Sequence, residues 1–276
     1  MLITLDDYRK IFHWEGMQWF RDNVVRTKDI LYFVTTPEFS DEQIAEEEKN
    51  NWNPNLRPKI ILLFHRSGEV AEQWSGSAKS AWQPMVIGAS LKPAGHSVSI
   101  ERASTFPSLA HKCHVQGSGQ AYDDMPIEGG FIRGAIGHMK MIDGWLYACT
   151  GGRGFGKRLQ KGDWQSFNEC FPVPHVEVIE GDDFDLALVE MLEPLGFSDF
   201  DAFSEFDIYL VGGSGDVWHF DGKKARQIPV PTNIELETVC CSDNGEVYIS
   251  GAKGKTLHGR DDHWETVESE KRVKGT

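Results

Sequence analysis

Two stretches near the C-terminus align without a gap at an offset of 39 residues. Residues 209–228 read YLVGGSGDVWHFDGKKARQI, and residues 248–267 read YISGAKGKTLHGRDDHWETV. Each copy reads as an apolar strand, a Gly-x-x-Gly turn, a second strand, a polar turn and a third strand. The residues shared or similar between the copies are Tyr209 and Tyr248, Gly212 and Gly251, Gly215 and Gly254, His219 and His258, and Ile228 and Val267.

A further strand precedes the second copy. Residues 237–247 read ETVCCSDNGEV, an apolar run that ends in the dipeptide Asn244-Gly245. Asn-Gly between two apolar runs is a strong hairpin signal, because both residues tolerate the positive φ of the tight turn. One unit therefore consists of four short strands.

Weaker copies of the same pattern occur upstream, in residues 30–39, 62–74, 114–124 and 145–159. Aligning them with the clean copies gives six equivalent positions: Val34, Phe64, Val115, Cys149, Val211 and Ser250. A repeated four-stranded unit of roughly 40–50 residues is typical of a β-propeller, in which neighbouring blades cover each other's apolar faces. We predict an all-β propeller of six blades, with seven as the alternative, forming one domain over residues 1–276.

The segment FSEFDIYLVGGSGDVWHFDG (203–222) resembles bacterial propeller repeats of the degenerate BNR-like or YCF48-like kind. The resemblance is good over the C-terminal part of the chain and faint over the rest. Proteins with such repeats include assembly factors, binding modules and immunity proteins that neutralise a cognate toxin. The resemblance identifies the architecture better than the activity. Together with the distribution of charge along the chain, it predicts a non-enzymatic immunity protein that binds and neutralises a basic toxin domain.

The charge of the chain is concentrated in two stretches. The whole chain has 42 acidic and 28 basic residues, a net charge of −14. Residues 38–50 contain six acids and one lysine, and residues 175–207 contain eleven acids and no lysine or arginine. These stretches together carry −16, so the remaining chain carries +2.

Both acidic stretches have helical signals. Ser40 and Gln43 form a capping-box pattern, and acids follow in the first turn. In the second stretch, an apolar stripe begins at Phe184 and stops at Pro194. We predict that 38–50 and 175–207 are short helical insertions in the propeller.

A cluster of like charges repels itself, so its presence favours a docking surface for a basic protein partner. The alternative is a pair of solvated loop faces that aid solubility. Phenylalanines 184, 197, 200, 203 and 206 interleave with the acids as candidate anchors. The predicted partner-binding residues are Asp182, Asp183, Phe184, Asp185, Glu190, Asp199, Asp201, Glu46 and Glu47.

Motifs for catalysis and cofactors are weak. Residues 151–158 (GGRGFGKR) have P-loop spacing, but Arg158 stands where magnesium binding needs Ser or Thr, and no helix pattern follows. In residues 111–114 (HKCH), alternate side chains of a strand would point to opposite faces, which does not suit a metal site. We predict no catalytic residue, metal or cofactor. A sialidase-like propeller that binds or hydrolyses glycans, and an assembly factor, remain as alternatives.

The acidic balance argues against binding to nucleic acid or an anionic membrane, although the basic turn 153–158 could still contact an anion. The N-terminus has acids within its first ten residues and no following apolar run, which is not a secretory pattern. The five cysteines are odd in number, and two are adjacent, which is typical of reduced thiols. We predict a cytoplasmic bacterial protein that is monomeric when free.

Overall fold

The computed structural model describes residues 18–50, 59–66, 74–79, 85–101, 111–117, 120–127, 131–173 and 195–267. Within these ranges the chain forms five four-stranded antiparallel sheets, in which neighbouring strands follow one another in the sequence. The chain divides into two compact units. The first holds sheets 1 and 2, and the second holds most of sheet 3 and all of sheets 4 and 5.

The first unit contains eight described strands and one described helix. Sheet 1 consists of β1 (Gln18–Thr27), β2 (Ile30–Pro37), β3 (Lys59–His65) and β4 (Trp74–Lys79). Sheet 2 consists of β5 (Met85–Ser90), β6 (His96–Glu101), β7 (His111–Gly117) and β8 (Gln120–Ile127). Helix α1 (Asp41–Lys49) lies between β2 and β3 in the sequence. Tyr32, Val34 and Ile61 of sheet 1 pack with Met85 and Ile87 of sheet 2 in one buried core.

The other twelve described strands form sheets 3, 4 and 5, which lie in the second unit except for part of sheet 3. Sheet 3 consists of β9 (Ile136–Ile142), β10 (Trp145–Thr150), β11 (Gly154–Gln160) and β12 (Asp163–Ser166). Sheet 4 consists of β13 (Asp199–Ser204), β14 (Asp207–Gly212), β15 (Asp216–Phe220) and β16 (Ala225–Gln227). Sheet 5 consists of β17 (Leu236–Cys241), β18 (Val247–Gly251), β19 (Lys255–Arg260) and β20 (His263–Val267). Short 3₁₀ turns occur at Asn168–Cys170 and Ala252–Gly254.

The four-stranded unit predicted from the C-terminal repeat is confirmed. The first copy corresponds to β14–β16 and the second to β18–β20. The predicted Asn244-Gly245 hairpin joins β17 to β18, and Gly245 has a φ of +85°. Strand order and turn chemistry in sheets 4 and 5 were therefore readable from the sequence.

Each of the two positions in the Gly-x-x-Gly turn requires glycine for a different physical reason. A Cβ on Gly212 would lie 2.1 Å from the carbonyl oxygen of Gly196, and one on Gly251 would lie 2.2 Å from that of Glu235. The first glycine thus lets β14 or β18 approach the segment that leads into the first strand of the same sheet. The second glycine supplies positive φ, which is +77° at Gly215.

The upstream alignment is wrong by one strand at two of its six positions. Val34 lies in β2 and Phe64 in β3, which are antiparallel neighbours in the same sheet. Val115 likewise lies in β7, the third strand of sheet 2, whereas Cys149 lies in β10, the second strand of sheet 3. A Ser-Gly turn between apolar strands can close more than one hairpin of a blade, so the pattern does not fix which hairpin was matched. The number of blades stays a prediction.

Both faces of sheet 4 are covered by neighbouring sheets. Its contact with sheet 3 is aromatic, with ring centroids 5.3 Å apart for Phe155 and Phe200 and 5.9 Å apart for Phe155 and Phe220. Its contact with sheet 5 is a mostly aliphatic cluster. The buried members of that cluster are Tyr209, Val211, Val217, Ile228, Leu236, Val239, Val247, Ile249 and Leu257.

A buried ion pair joins sheets 3 and 4 beside the aromatic contact. The Nε of Arg153 lies 2.7 Å from Asp216 Oδ2, and its second terminal nitrogen lies 2.7 Å from Oδ1. The guanidinium also lies over the Trp218 ring, 4.8 Å from its centroid. Asp216 accepts two further side-chain hydrogen bonds, from Trp218 Nε1 and Gln227 Nε2. Two charges in the interior are tolerated only when their hydrogen bonds are satisfied in this way.

Replacing Asp216 by Ala should lower the free energy of unfolding by about 3–5 kcal/mol, because it leaves the Arg153 charge buried without a counter-ion. Urea unfolding of the purified chain measures this. Asp262→Ala is the matched control, since Asp262 pairs with Arg226 where their side chains are 63% and 48% exposed. That variant should lose no more than about 1 kcal/mol. Equal losses in the two variants would contradict the role assigned to Asp216.

Candidate functional site

The described part of the acidic stretch 175–207, residues 195–207, contains no helix. Asp199–Ser204 is strand β13, and Asp207 begins β14, so the predicted helical insertion is wrong there. Residues 175–194 lie outside the described residues, with Asp182, Asp183, Phe184, Asp185 and Glu190. The predicted helix at 38–50 is confirmed as α1.

Asp199 binds neighbouring strands on both sides of β13. Its carboxylate accepts hydrogen bonds from Val239 N and Thr238 Oγ1 of β17, each at 3.0 Å. Lys140 of β9 contacts its other oxygen at 3.1 Å, and the side chain is 8% exposed. Burial, and then the charge of Asp199, raises the pKa of the Cys149 thiol nearby. Asp199 therefore connects the first strands of sheets 3, 4 and 5 and has almost no surface to offer a partner.

Asp201 has the same type of internal contact. Its Oδ2 accepts a hydrogen bond of 2.8 Å from the backbone N–H of Cys241 in β17, and Lys140 lies 3.9 Å from its Oδ1. The residue is partly exposed. Both predicted contact residues on β13 are thus used to hold adjacent sheets together.

Glu205, in the turn after β13, is bonded to sheet 3. Its Oε1 lies 2.8 Å from Lys157 Nζ and accepts a hydrogen bond of 3.1 Å from the Tyr147 hydroxyl. Burial, and then the charge of Glu205, raises the pKa of Tyr147, so the phenol keeps its proton and donates it.

A tyrosine and a basic residue face each other across the second and third strands in all three sheets of the second unit. The register pairs are Tyr147 with Lys157, Tyr209 with His219, and Tyr248 with His258. An acid accompanies each pair: Glu205, Asp207 or Glu246. Asp207 and Glu246 are also 39 residues apart, so the repeat extends to an acid that the sequence alignment did not single out.

The phenylalanines of this stretch do not form one surface. Phe197 and Phe200 are 2% and 0% exposed and pack in the aromatic core between sheets 3 and 4. Phe203 is partly buried, with the Arg260 guanidinium 4.3 Å from its ring centroid. Phe206 is 68% exposed in the β13–β14 turn. Among the four phenylalanines that the structure describes here, Phe206 alone is an exposed candidate anchor.

Glu46 and Glu47 lie on α1, where Glu46 is exposed and Glu47 is partly exposed. The helix begins with the predicted capping box: Ser40 Oγ accepts a hydrogen bond from Gln43 N, and Gln43 Oε1 accepts one from Ser40 N. No residue of α1 is buried. Glu46, Glu47 and Phe39 line a surface depression of about 320 Å³ together with Gln43 and Asn50. The helix therefore presents carboxylates beside an aromatic ring.

The glycine-rich segment 151–158 is a turn and a strand, as the sequence predicts. Gly152 and Arg153 have positive φ, and β11 follows directly. Arg153 is 7% exposed and paired with Asp216, and Arg158 is 1% exposed. The expectation that this basic turn could contact an anion is therefore wrong. The predicted strand at 111–114 is confirmed as the start of β7.

A cavity of about 450 Å³ lies in the second unit at the ends of strands from three sheets. A glycan-hydrolysing propeller would need arginine, tyrosine and acidic side chains converging there. The lining instead consists of small and apolar residues, two serines and one carboxylate, that of Glu235, and it contains no arginine or tyrosine. The lining residues are Gly151, Leu195, Gly196, Phe197, Ser198, Gly213, Ser214 and Glu235. Within the described ranges no helix is long and apolar enough to cross a membrane.

Replacing Asp199 by Ala should lower the free energy of unfolding by about 2–4 kcal/mol, because Val239 N–H, Thr238 and Lys140 lose their acceptor. Glu46→Ala, on an exposed helix face, should change it by no more than about 0.5 kcal/mol. Thermal and urea unfolding of both variants measure the loss of stability when an acid that joins three sheets is removed and when an exposed acid is removed. If Asp199→Ala left the free energy of unfolding unchanged, the connecting role of Asp199 would be contradicted, and its carboxylate would again be a candidate contact for a partner.

No family model matches the chain. The chain is 31% identical over 172 residues to the Immune protein Tsi7 of Pseudomonas aeruginosa. The match covers 61% of this chain and 51% of the relative, so the chain spans about half the length of the curated relative it matches.

Solved structures that are similar to the chain include WD40 and YCF48 β-propellers. The WD40 β-propeller domain of Doa1 has a TM-score of 0.51 at 10% identity, covering 89% of this chain and 66% of that chain. YCF48 bound to D1 peptide has a TM-score of 0.52 at 12% identity, covering 92% and 70%. The extracellular domain of BT4673 from B. thetaiotaomicron has a TM-score of 0.54 at 10% identity, covering 93% and 29%. At these identities the likeness shows the fold alone, and the chain has a β-propeller fold.

Proposed function

We propose that this chain is a non-enzymatic, protein-binding β-propeller that acts as an immunity protein and neutralises a basic toxin domain. The observation that carries the proposal is the 31% identity to the Immune protein Tsi7 over 172 residues. The propeller fold supports it, because adjacent blades present their turns as a broad surface on which a partner protein can dock. The partner's basic character is inferred from the charge of this chain.

The proposed docking segments are α1 in the first unit and, from the sequence alone, the acidic stretch 175–194 in the second unit. α1 carries five acids and one lysine, and none of them is buried. Asp199 and Asp201 are no longer proposed as contact residues, because their carboxylates bind neighbouring strands. The proposed contact residues are Glu46 and Glu47 on α1 and, separately and from the sequence alone, Asp182, Asp183, Phe184, Asp185 and Glu190.

The other two functions receive less support. The 450 Å³ cavity lacks the set of arginine, tyrosine and acidic side chains that glycan hydrolysis would require. An assembly factor would use the same kind of surface and differ in the identity of its partner.

The proposed location is the cytoplasm, and the proposed free state is a monomer. All five cysteines lie in described residues and none of them forms a disulfide; Cys113 and Cys149 are buried and Cys240 is exposed. Cysteines that form no disulfide suit a reducing compartment. Cell fractionation and sedimentation of the purified chain test these two statements.

Co-expression tests the immunity function directly. If a reading frame beside the gene encodes a basic toxin domain, its expression should stop bacterial growth, and co-expression of this chain should restore it. The purified pair should form a tight complex. Restored growth with an unrelated acidic protein of similar net charge, or no restoration by this chain, would contradict the proposal.

Replacing Asp182, Asp183 and Asp185 together by Lys should weaken that complex by several kcal/mol, on the order of 2–5, and slow association at low salt. The lysine variant Glu46→Lys/Glu47→Lys should slow association in the same direction. The matched control is the triple replacement of Asp163, Glu169 and Asp243 by Lys, three exposed acids outside the proposed docking segments. The differences should shrink as salt shortens the screening length to below about 10 Å. Equal effects of the two triple variants would show that net charge, and not these segments, determines binding.

A further inference from the structure

The 450 Å³ cavity of the second unit is built from backbone segments that are tied together in pairs. The end of β10 meets the segment before β13 through the bridge Gly151–Gly196. The β14–β15 turn meets the segment before β17 through the bridge Ser214–Glu235. Backbone hydrogen bonds therefore fix all four walls before any ligand arrives.

A buried carboxylate also fixes the position of Gly196 in the cavity lining. Its backbone N–H donates to Asp216 Oδ2 at 3.2 Å, and Asp216 is the buried partner of Arg153. A Cβ on Gly196 would lie 2.4 Å from the backbone nitrogen of Gly152, so backbone packs on backbone here. A site of this rigidity loses little conformational entropy when it binds a ligand.

Among the described residues that line the cavity, Glu235 has the one charged side chain. Glu235 is exposed, and among the described residues no side chain donates a hydrogen bond to its carboxylate or forms an ion pair with it. The nearby cation Arg153 is already neutralised by Asp216. Ser198 and Ser214 add hydroxyl groups to the lining, and Leu195 adds apolar surface.

We propose that this cavity receives an arginine side chain of the partner protein. A guanidinium matches the carboxylate of Glu235 with two parallel hydrogen bonds, and its remaining N–H groups suit hydroxyl and carbonyl oxygens. The aliphatic stem packs on Leu195 while the head stays at the polar rim. The volume lies in the range of cavities that enclose small ligands. The inference rests on the proposed function for the partner, and it adds a second contact, apart from the acidic stretches, with a defined side-chain chemistry.

The test uses the full chain, labelled with nitrogen-15, and N-acetyl-arginine amide as the probe. The probe should shift the amide resonances of Gly196, Ser198 and Gly213 in a saturable way. N-acetyl-citrulline amide, its neutral isostere, should not. Glu235→Gln should raise the dissociation constant about tenfold, the factor expected for one charge-assisted bond. Glu237→Gln, an exposed acid on β17 outside the cavity lining, should leave it unchanged.

A second variant tests the cavity without changing charge. Ser214 is exposed at the rim, so Ser214→Trp should fill the opening and abolish the shifts while the melting temperature stays within the range of the wild type. A response that does not saturate, equal responses to arginine and citrulline, or a Glu235→Gln variant that behaves like Glu237→Gln would each overturn the proposal. The probe experiment is independent of toxin neutralisation. Failure to protect cells therefore contradicts the immunity function, whereas failure of the arginine titration contradicts the cavity assignment alone.

Discussion

The arrangement of the second unit depends on the ion pair between Arg153 and Asp216. Arg153 lies in the β10–β11 turn of sheet 3 and Asp216 at the start of β15 in sheet 4, and both are nearly inaccessible to solvent. Two ions removed from water lose several kcal/mol of hydration each, so the pair is tolerable only with complete hydrogen bonding. Asp216 meets that condition with donors from Arg153, Gly196, Trp218 and Gln227. These donors come from separate segments, so satisfying one carboxylate sets the positions of all of them.

The same logic divides the acids of this chain into two kinds. Asp199, Asp201 and Glu205 each accept hydrogen bonds from another sheet, and their charge is compensated inside the molecule. Glu46 on α1 projects from a helix with no buried residue, and its charge is compensated by solvent. A stretch's net charge counts both kinds alike, although the second kind attracts a partner far more. Because these acids bond to neighbouring sheets, the excess of negative charge at 199–207 reflects the packing between blades.

The sequence predicted what depends on neighbouring residues and missed what depends on distant ones. The strands and glycines of 209–228 follow from local turn chemistry, and the α1 capping box follows from residues three apart. Phe200 and Asp199 are both buried because sheet 4 is covered on both faces, so β13 lacks the polar–apolar alternation that marks a half-exposed strand. Arg153 and Asp216 are 63 residues apart, and nothing in either segment indicates its partner. The sequence shows the charge of the carboxylates, but it does not show which groups donate hydrogen bonds to them.

The acidic helix and the cavity would act on different steps of binding. Charges on an exposed helix act over a screening length of about 8–10 Å, so they chiefly raise the rate at which an oppositely charged protein arrives. A preorganised cavity with one carboxylate acts within hydrogen-bond distance, so it chiefly slows departure. A bound arginine would exclude water from Glu235, and its ion pair would respond less to salt than the charges of α1. Salt dependence confined to the association rate, with a dissociation rate that depends on residue 235, is therefore the kinetic pattern that this combination of an exposed helix and a rigid cavity produces.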